Sequence, residues 1–160
     1  TKGIALKNGR VMKFIMNDKC SAGTGKFLEV MTNRLGLTME ELSDLASRGN
    51  PITISSMCTV FAESEVVSLV AQNKDVADII HGLNVSVASK VGALAARLGK
   101  DHPGEYMMTG GVAKNRGIIQ ALEEKLGAKL YICDEAQLCG ALGAALFAYE
   151  KSKGSAEETR

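Results

Sequence analysis

Two of the four cysteines lie next to positions where helices are predicted to begin. Cys20 is followed by the glycine turn Gly23-Thr24-Gly25, and an amphipathic segment starts at Lys26. Cys58 precedes another helical segment, predicted to start near Val60. A helix N-terminus presents unpaired N–H groups and about half a positive charge, so it favours thiolates, phosphates or an anionic metal–sulfur cluster. The pattern indicates a nucleotide site beside a redox or metal site.

A second glycine pair lies where a predicted strand gives way to a helix. Gly110 and Gly111 follow a strand predicted over 106–109, and Asn115 opens the next helix. Glycines at such a turn allow positive φ or a close approach of the backbone to a ligand. Either glycine turn alone is a weak signal, because such turns are common at helix entries. Two of them in one chain favour a nucleotide site.

The remaining candidate residues favour structural interpretations. Cys133, at the end of a predicted strand, and Cys139, among small helical residues, are predicted to pack in the core. Glu63 and Glu65 are predicted to lie in the first turn of a helix, where carboxylates favour the helix dipole whatever the function. No side chain is an obvious general base for attack of water on a γ-phosphate, so the catalytic residues are left unassigned.

The elements that must position these turns alternate between strand and helix. The dipeptide Asn8-Gly9 separates two short apolar runs, 3–6 and 11–16, which predicts a β-hairpin. Hydrophobic periodicity predicts helices over 26–35, 39–46, 60–72, 76–98, 115–126 and 137–151, and strands over 106–109 and 130–133. Alternation late in the chain predicts parallel strands with right-handed crossovers, hence an α/β fold. The polar tail 152–160 is predicted to be disordered.

Composition excludes several classes of function. The 160 residues suit one domain, and a net charge of +1 with 4% aromatic residues argues against a nucleic-acid partner. The longest apolar run, 141–148, is far shorter than a membrane span, and no signal peptide is visible. We therefore expect a cytoplasmic protein without a membrane partner, whose cysteines are thiols or metal ligands. The chain begins without Met in what reads as mid-strand, which predicts a fragment.

Four motifs in register resemble a known family. They are NDKCSAGTGKF, SSMCTVFAESEV, MTGGVAKN and CGALGAALFAY, and they cover most of residues 1–151. In this order they resemble the ATP-dependent activators of 2-hydroxyacyl-CoA dehydratases and the related ATPase subunits of benzoyl-CoA reductases. The resemblance implies the fold shared by acetate and sugar kinases, the Hsp70 chaperones and actin. Residues 1–151 would be its ribonuclease-H-like C-terminal lobe, with inserted helices and an incomplete N-terminus.

The resemblance also implies a chemistry. Family members are homodimers with one 4Fe–4S cluster bridging the subunits. ATP hydrolysis drives transfer of a low-potential electron, from a donor such as ferredoxin or flavodoxin, to an acyl-CoA dehydratase or reductase component. Cys20 and Cys58 match the two cluster ligands, so two subunits would give the four thiolates that a cluster requires. The residues that match the family's contacts to ATP or ADP with Mg are Gly23, Thr24, Gly25, Gly110, Gly111, Val112 and Asn115.

One departure from the family concerns the first half of the fold. The N-terminal lobe with its first phosphate loop is absent, and so is the acidic strand expected just before Thr1. The sheet order of this fold puts that strand between the hairpin and the strand at Tyr106. We therefore expect two unpaired strand edges there, and weak ATPase activity from this piece alone.

Several alternatives stay open at this point. A small-molecule kinase of the same superfamily would need an acceptor pocket with a catalytic carboxylate, for which the sequence gives no convincing candidate. A zinc- or thiol-based dimerisation module with a vestigial nucleotide fold is the non-enzymatic alternative. Four cysteines could also form one site within a single chain, and spacing alone does not separate zinc from iron.

Overall fold

The computed structural model describes residues 1–17, 20–46, 48–50, 52–55, 58–99 and 105–157, the last four of these by their backbone only. The described elements are β1 (Lys2–Lys7), β2 (Arg10–Met16), α1 (Gly25–Leu35), α2 (Met39–Leu45), α3 (Thr59–Ala71), α4 (Val76–Ala96), β3 (Tyr106–Met107), a 3-10 turn (Gly111–Lys114), α5 (Arg116–Leu126), β4 (Leu130–Tyr131) and α6 (Cys139–Glu157). The predicted order of strands and helices is confirmed, and the predicted loop 101–104 lies outside the described residues.

The strands form two separate two-stranded sheets in the described part of the chain. β1 and β2 are antiparallel, and Asn8 and Gly9 close the hairpin at φ 51° and 74° as predicted. β3 and β4 are parallel, with Tyr106 opposite Leu130. No strand pairing joins the two sheets within the described ranges, which matches the expected interruption between the hairpin and β3. Both β3 and β4 are shorter than predicted.

The core is built from the apolar faces of the helices. Residues at helical spacing on α1 and α4 are fully buried because each helix presents one apolar stripe to its neighbours. The largest fully buried side chains are Phe27, Leu28, Met31, Leu42, Val66, Ile79, Ile80, Leu83 and Ile118. α4 is the one described helix long and apolar enough, by length and composition, to cross a membrane; half of its most apolar window is buried against the protein.

Three helices begin with a side-chain cap. Thr38 and Glu41 form the predicted capping box of α2, with the Glu41 carboxylate accepting the Thr38 N–H at 2.8 Å. Asp75 caps α4 by accepting the Ala77 N–H at 2.7 Å. Asn115 caps α5 by accepting the Ile118 N–H at 2.9 Å. These bonds satisfy N–H groups that a helix start leaves without partners.

Three predictions require correction. α6 runs to Glu157, so the disorder predicted from Ser152 is wrong for 152–157; no proline interrupts the segment, and a polar sequence also suits a helix in water. The strand at 106–109 was predicted to be buried, yet Met107 is exposed because nothing described covers that face. Glu63 and Glu65 lie beyond the first turn of α3, because the helix begins at Thr59.

Candidate functional site

The turn that carries Cys20 follows β2 and is held by one side chain. The Asn17 amide donates to the carbonyl oxygens of Cys20 and Ala22, each at 3.0 Å. The Ala22 N–H points at the Cys20 sulfur, with a nitrogen–sulfur distance of 3.4 Å. The Cys20 side chain is exposed. The turn therefore presents a thiol to solvent with one backbone donor already directed at it.

Cys58 occupies the N-cap position of α3. Its backbone is extended, at φ −90° and ψ 138°, and its carbonyl accepts the first helical bond from Ala62 at 2.9 Å. Its side chain is exposed. The thiol thus sits at the positive end of a helix of 13 residues, where the dipole favours a thiolate.

A hydrogen bond joins the two cysteine turns. The hydroxyl oxygens of Ser21 and Thr59 are 2.7 Å apart, and each belongs to the residue that directly follows a cysteine. The bond holds the start of α3 against the turn after β2, and both thiols are exposed beside it. Cys20 and Cys58, separated by 37 residues in the sequence, therefore flank one contact. A hydroxyl residue after each cysteine was the sequence signal for this contact.

The helices that begin at these turns lack the caps found elsewhere. Neither α1 nor α3 receives a side-chain hydrogen bond at its N-terminus in the described structure. Thr24 stands at the N-cap of α1, but its hydroxyl donates to the Ser21 carbonyl instead. The N–H groups of these first turns keep their capacity to bind an anion.

The glycine turn 23–25 needs glycine at two positions. Gly23 is buried with φ at +80°, and the Thr1 hydroxyl donates to its carbonyl at 2.6 Å. Gly25 is the first residue of α1, and a Cβ there would lie 3.1 Å from a methyl carbon of Val112. The sequence-predicted turns around Gly23 and around Val112 are therefore in contact.

The second glycine turn is fixed to the loop that follows β4. The Gly110 N–H donates to the Ala136 carbonyl at 2.7 Å, and the Met108 N–H donates to the Tyr131 carbonyl at 3.0 Å. Gly110 has φ at +98°, and a Cβ there would meet no described atom within 4 Å, so its face is open. Ligands of parallel α/β sheets bind beyond the carboxyl ends of the strands, which is where this turn lies.

Asn115 lies behind this turn. It is buried, its side-chain oxygen caps α5, and its amide nitrogen has no hydrogen-bond partner among the described residues. The structural role of Asn115 is to fix the start of α5. Its predicted nucleotide contact stays a prediction.

The two carboxylates of α3 make structural bonds. Glu63 accepts from the guanidinium of Arg34, with the Nε donor at 2.7 Å, and this ties α3 to α1. Glu65 accepts from the backbone N–H and the hydroxyl of Ser55, at 3.0 and 2.9 Å. These contacts hold the segment that leads into Cys58.

Cys133 and Cys139 do not pack in the core as predicted. Both are half-buried, and their sulfur atoms are 3.6 Å apart. The physical reason is that α6 is not covered: its apolar side chains Leu142, Leu146 and Phe147 are exposed. Among the described residues no group of three or more His, Cys, Asp or Glu side chains could hold a metal ion, so a four-cysteine site within one chain is not formed there.

With this geometry in place, comparison with known proteins is informative. Residues 1–148 match the BadF/BadG/BcrA/BcrD ATPase family. The chain belongs to this family. Its fold is accordingly the α/β fold of the actin-like ATPases, as predicted from the motifs.

Members with names in the family are similar over most of the chain. The 2-hydroxyisocaproyl-CoA dehydratase activator of Clostridioides difficile is 44% identical over 154 residues, which cover 96% of this chain and 57% of that protein. The (R)-2-hydroxyglutaryl-CoA dehydratase activating ATPase of Acidaminococcus fermentans is 50% identical over 154 residues, 94% of this chain and 58% of that one. The chain thus spans little more than half the length of these relatives.

Solved structures in the family superpose closely. The C. difficile activator, solved with bound ADPNP, gives a TM-score of 0.90 at 43% identity and is matched over 99% of this chain and 59% of its own. The A. fermentans component A gives a TM-score of 0.88 at 49% identity, over 95% of this chain and 58% of its own.

Proposed function

We propose that the protein containing this chain is an iron–sulfur ATPase that uses ATP to deliver a low-potential electron to an acyl-CoA dehydratase or a related reductase component. The observation that carries the proposal is the convergence of the predicted turns. The Ser21–Thr59 hydrogen bond joins the two cysteine turns, and the Gly25–Val112 contact joins the two glycine turns. One short segment, 20–25, takes part in both contacts.

The donor set fits half of an iron–sulfur site. Cys20 and Cys58 are exposed thiols at neighbouring turns, and a 4Fe–4S cluster takes four thiolates. A second copy of the chain would supply the other two, which makes the active form a homodimer. Such a cluster, when bound, supplies one-electron chemistry at low potential.

The residues around these thiols suit an anionic group. The uncapped starts of α1 and α3 direct their partial positive charge towards the cysteine turns, and the Ala22 N–H points at the Cys20 sulfur. Donors directed at ligand sulfurs favour the more negative, reduced form of a cluster and so tune its potential.

The glycine turns supply the nucleotide half of the proposal. Gly23, Thr24 and Gly25 would contact the phosphates of ATP or ADP with Mg, and Gly110, Gly111 and Val112 would contact the adenosine. The relative with bound ADPNP, matched over 99% of this chain, supports nucleotide binding by this fold. The names of the relatives support a dehydratase or reductase partner.

Coupling between the two halves would pass through three residues of backbone. Cys20 and Gly23 bracket this segment, and the Asn17 amide holds two of its carbonyl oxygens. Thr24 is tied back to Ser21 by both its N–H and its hydroxyl. A shift of the glycine turn on hydrolysis would therefore move the Cys20 sulfur.

The ligand assignment is tested by iron content. The protein is expressed from its complete reading frame, reconstituted anaerobically, and compared with Cys20→Ser and Cys58→Ser. Cys133→Ser and Cys139→Ser are the matched controls. We expect iron and charge-transfer absorption to fall to background in the first two and to persist in the controls.

Iron at the wild-type level in both Cys20→Ser and Cys58→Ser would overturn the ligand assignment. Stoichiometric zinc without iron would instead support a thiol-based dimerisation module. Phosphoryl transfer to a small acceptor, again without iron, would support a kinase.

The nucleotide assignment is tested by two glycine substitutions. Gly110 and Gly127 both have positive φ and open space at the Cβ position, but only Gly110 lies in the proposed site. We expect Gly110→Ala to weaken ADP binding by about tenfold or more, because a strained backbone costs on the order of 1–3 kcal/mol. Gly127→Ala should lower stability and leave ADP affinity unchanged. Equal affinities in the two variants would contradict the assignment.

A further inference from the structure

Cys133 and Cys139 form a close thiol pair outside the proposed cluster site. Their sulfur atoms are 3.6 Å apart, and the Cys139 thiol also lies 3.5 Å from the Glu135 carbonyl oxygen. Both side chains are half-buried. Cys139 is the first residue of α6, and Cys133 lies two residues after β4. The function proposed above uses neither residue.

We propose that Cys133 and Cys139 form a reversible intramolecular disulfide whose formation weakens nucleotide binding at the adjoining glycine turn. The disulfide stands on the sulfur geometry alone, whereas its effect on binding rests on the function proposed above. Disulfides inside cells are usually transient and redox-sensing, and this pair fits that class.

The turn between the two cysteines touches the glycine motif directly. The Ala136 carbonyl accepts the Gly110 N–H at 2.7 Å, and the Ala136 N–H donates to the Cys133 carbonyl at 3.0 Å. The Leu138 N–H donates to the Glu135 carbonyl at 2.8 Å. The segment 133–139 is therefore a closed turn whose middle carbonyl holds Gly110.

Forming the bond must move this turn. A disulfide brings sulfur atoms to about 2.05 Å, well inside the observed separation. The two cysteines lie at the ends of the closed turn, so drawing them together displaces Ala136 and, through its carbonyl, Gly110. Gly110 already has φ at +98°, which leaves few other residues able to take up the change.

The chemistry requires a small-molecule disulfide of the oxidised glutathione type. The Cys133 thiolate attacks one sulfur of the reagent, forms a mixed disulfide and releases one thiol. Cys139 then loses its proton and attacks the Cys133 sulfur, releasing the second thiol. Two protein thiols are oxidised while one disulfide is reduced to two thiols. The hydrogen bond to Cys133, followed by burial, raises the pKa of the Cys139 thiol, which suits Cys139 to the second step.

Peptide mapping tests the disulfide itself. Metal-free protein is equilibrated with increasing oxidised glutathione, alkylated and digested with trypsin, which releases both cysteines in one peptide, 130–151. We expect this peptide to lose two hydrogen atoms and both alkylation sites. Cys20 and Cys58 lie on other peptides and serve as internal controls; they should react at higher oxidant concentration and with glutathione rather than with each other. A 130–151 peptide that stays alkylated, or that carries glutathione, would overturn the proposal.

ADP affinity tests the effect on the glycine turn. We expect the oxidised protein to bind ADP about fivefold more weakly, a typical size for coupling between sites. Dithiothreitol should reverse the loss, and Cys139→Ser, which keeps a hydrogen-bonding group, should show no loss. A fully formed disulfide with unchanged ADP affinity would overturn the coupling. If the reduced protein does not bind ADP, the nucleotide assignment fails, while the peptide map still decides the disulfide.

Discussion

The helices of this chain begin in two different ways, and the difference follows the candidate site. α2, α4 and α5 each begin with a side chain that accepts a first-turn N–H: Thr38, Asp75 and Asn115. α1 and α3 begin at the cysteine turns without such a bond in the described structure. The first group lies in the packed body of the protein, and the second faces the exposed thiols.

A missing cap is a local cost in stability. An N-cap hydrogen bond is worth about 1 kcal/mol, so two uncapped starts leave the chain less stable than its sequence could have made it. Each uncapped start keeps N–H groups and helix charge available to an anion. The comparison teaches that local stabilisation is omitted where a ligand is expected to supply the missing bonds.

Placing a cap on α3 should break the comparison most strongly. Cys58→Asp supplies a carboxylate that can accept a first-turn N–H, and Cys58→Ala supplies nothing. We expect iron to fall to background in both variants, since each removes a ligand. Cys58→Asp should raise the free energy of unfolding of the metal-free protein by about 1 kcal/mol relative to Cys58→Ala. Urea unfolding and iron analysis measure the two effects. Equal stabilities would mean that α3 is not short of a cap.

Removing a cap from the body of the protein is the reverse experiment. Asp75→Ala leaves the Ala77 N–H without its 2.7 Å acceptor and should lower the free energy of unfolding by about 1 kcal/mol. Iron content and ADP affinity should not change, because α4 begins away from the candidate site. A loss of iron in folded Asp75→Ala would contradict the separation of the two groups of helices.

The hydroxyl bridge between the two uncapped starts should have a measurable coupling. Ser21→Ala and Thr59→Val each remove one hydroxyl of the 2.7 Å pair. A double-mutant cycle should give a coupling of about 0.5–1.5 kcal/mol in the metal-free protein. Both single variants should retain less iron after dilution, because the two cysteine turns are no longer held together. A coupling of zero would show that packing alone positions the turns.

The capping box of α2 predicts the smallest effect, and it depends on pH. Bonds from the Thr38 backbone N–H, and then from its hydroxyl, hold the pKa of Glu41 below its ordinary value of 4.5. The stabilisation is present above pH 4.5 and is lost as the pH falls through the lowered folded-state pKa. Stability of the wild type should therefore fall more steeply than that of Glu41→Gln between about pH 5 and about pH 3. Parallel urea midpoints would contradict this.

Much of the fold could be predicted because its signals are local. The turn at Asn8-Gly9, the capping box at Thr38 and the apolar stripe of α4 each depend on residues within a few positions of one another. The same holds for the two cysteine turns, whose position before helices was predicted from adjacent residues. Their roles as cluster ligands and nucleotide contacts remain predictions.

The errors arose where burial depends on a neighbour. Met107 and the apolar residues of α6 have the composition of buried elements, but no described element packs on them. Composition reports how apolar a segment is, not whether another surface covers it. Cys139 was assigned to the core for this reason, and the structure places it beside Cys133.

The amino-acid sequence by itself determined where helices start, which starts carry caps and which carry cysteines, because hydrogen bonds within one turn decide those features. Only the tertiary structure decided that Ser21 meets Thr59, that Gly25 meets Val112 and that Cys133 meets Cys139. Each of the first two pairs is brought together by the packing of helices far apart in the chain, and the third by the path of one short loop. Distances of that kind are set by the summed fit of many side chains, which no single segment encodes.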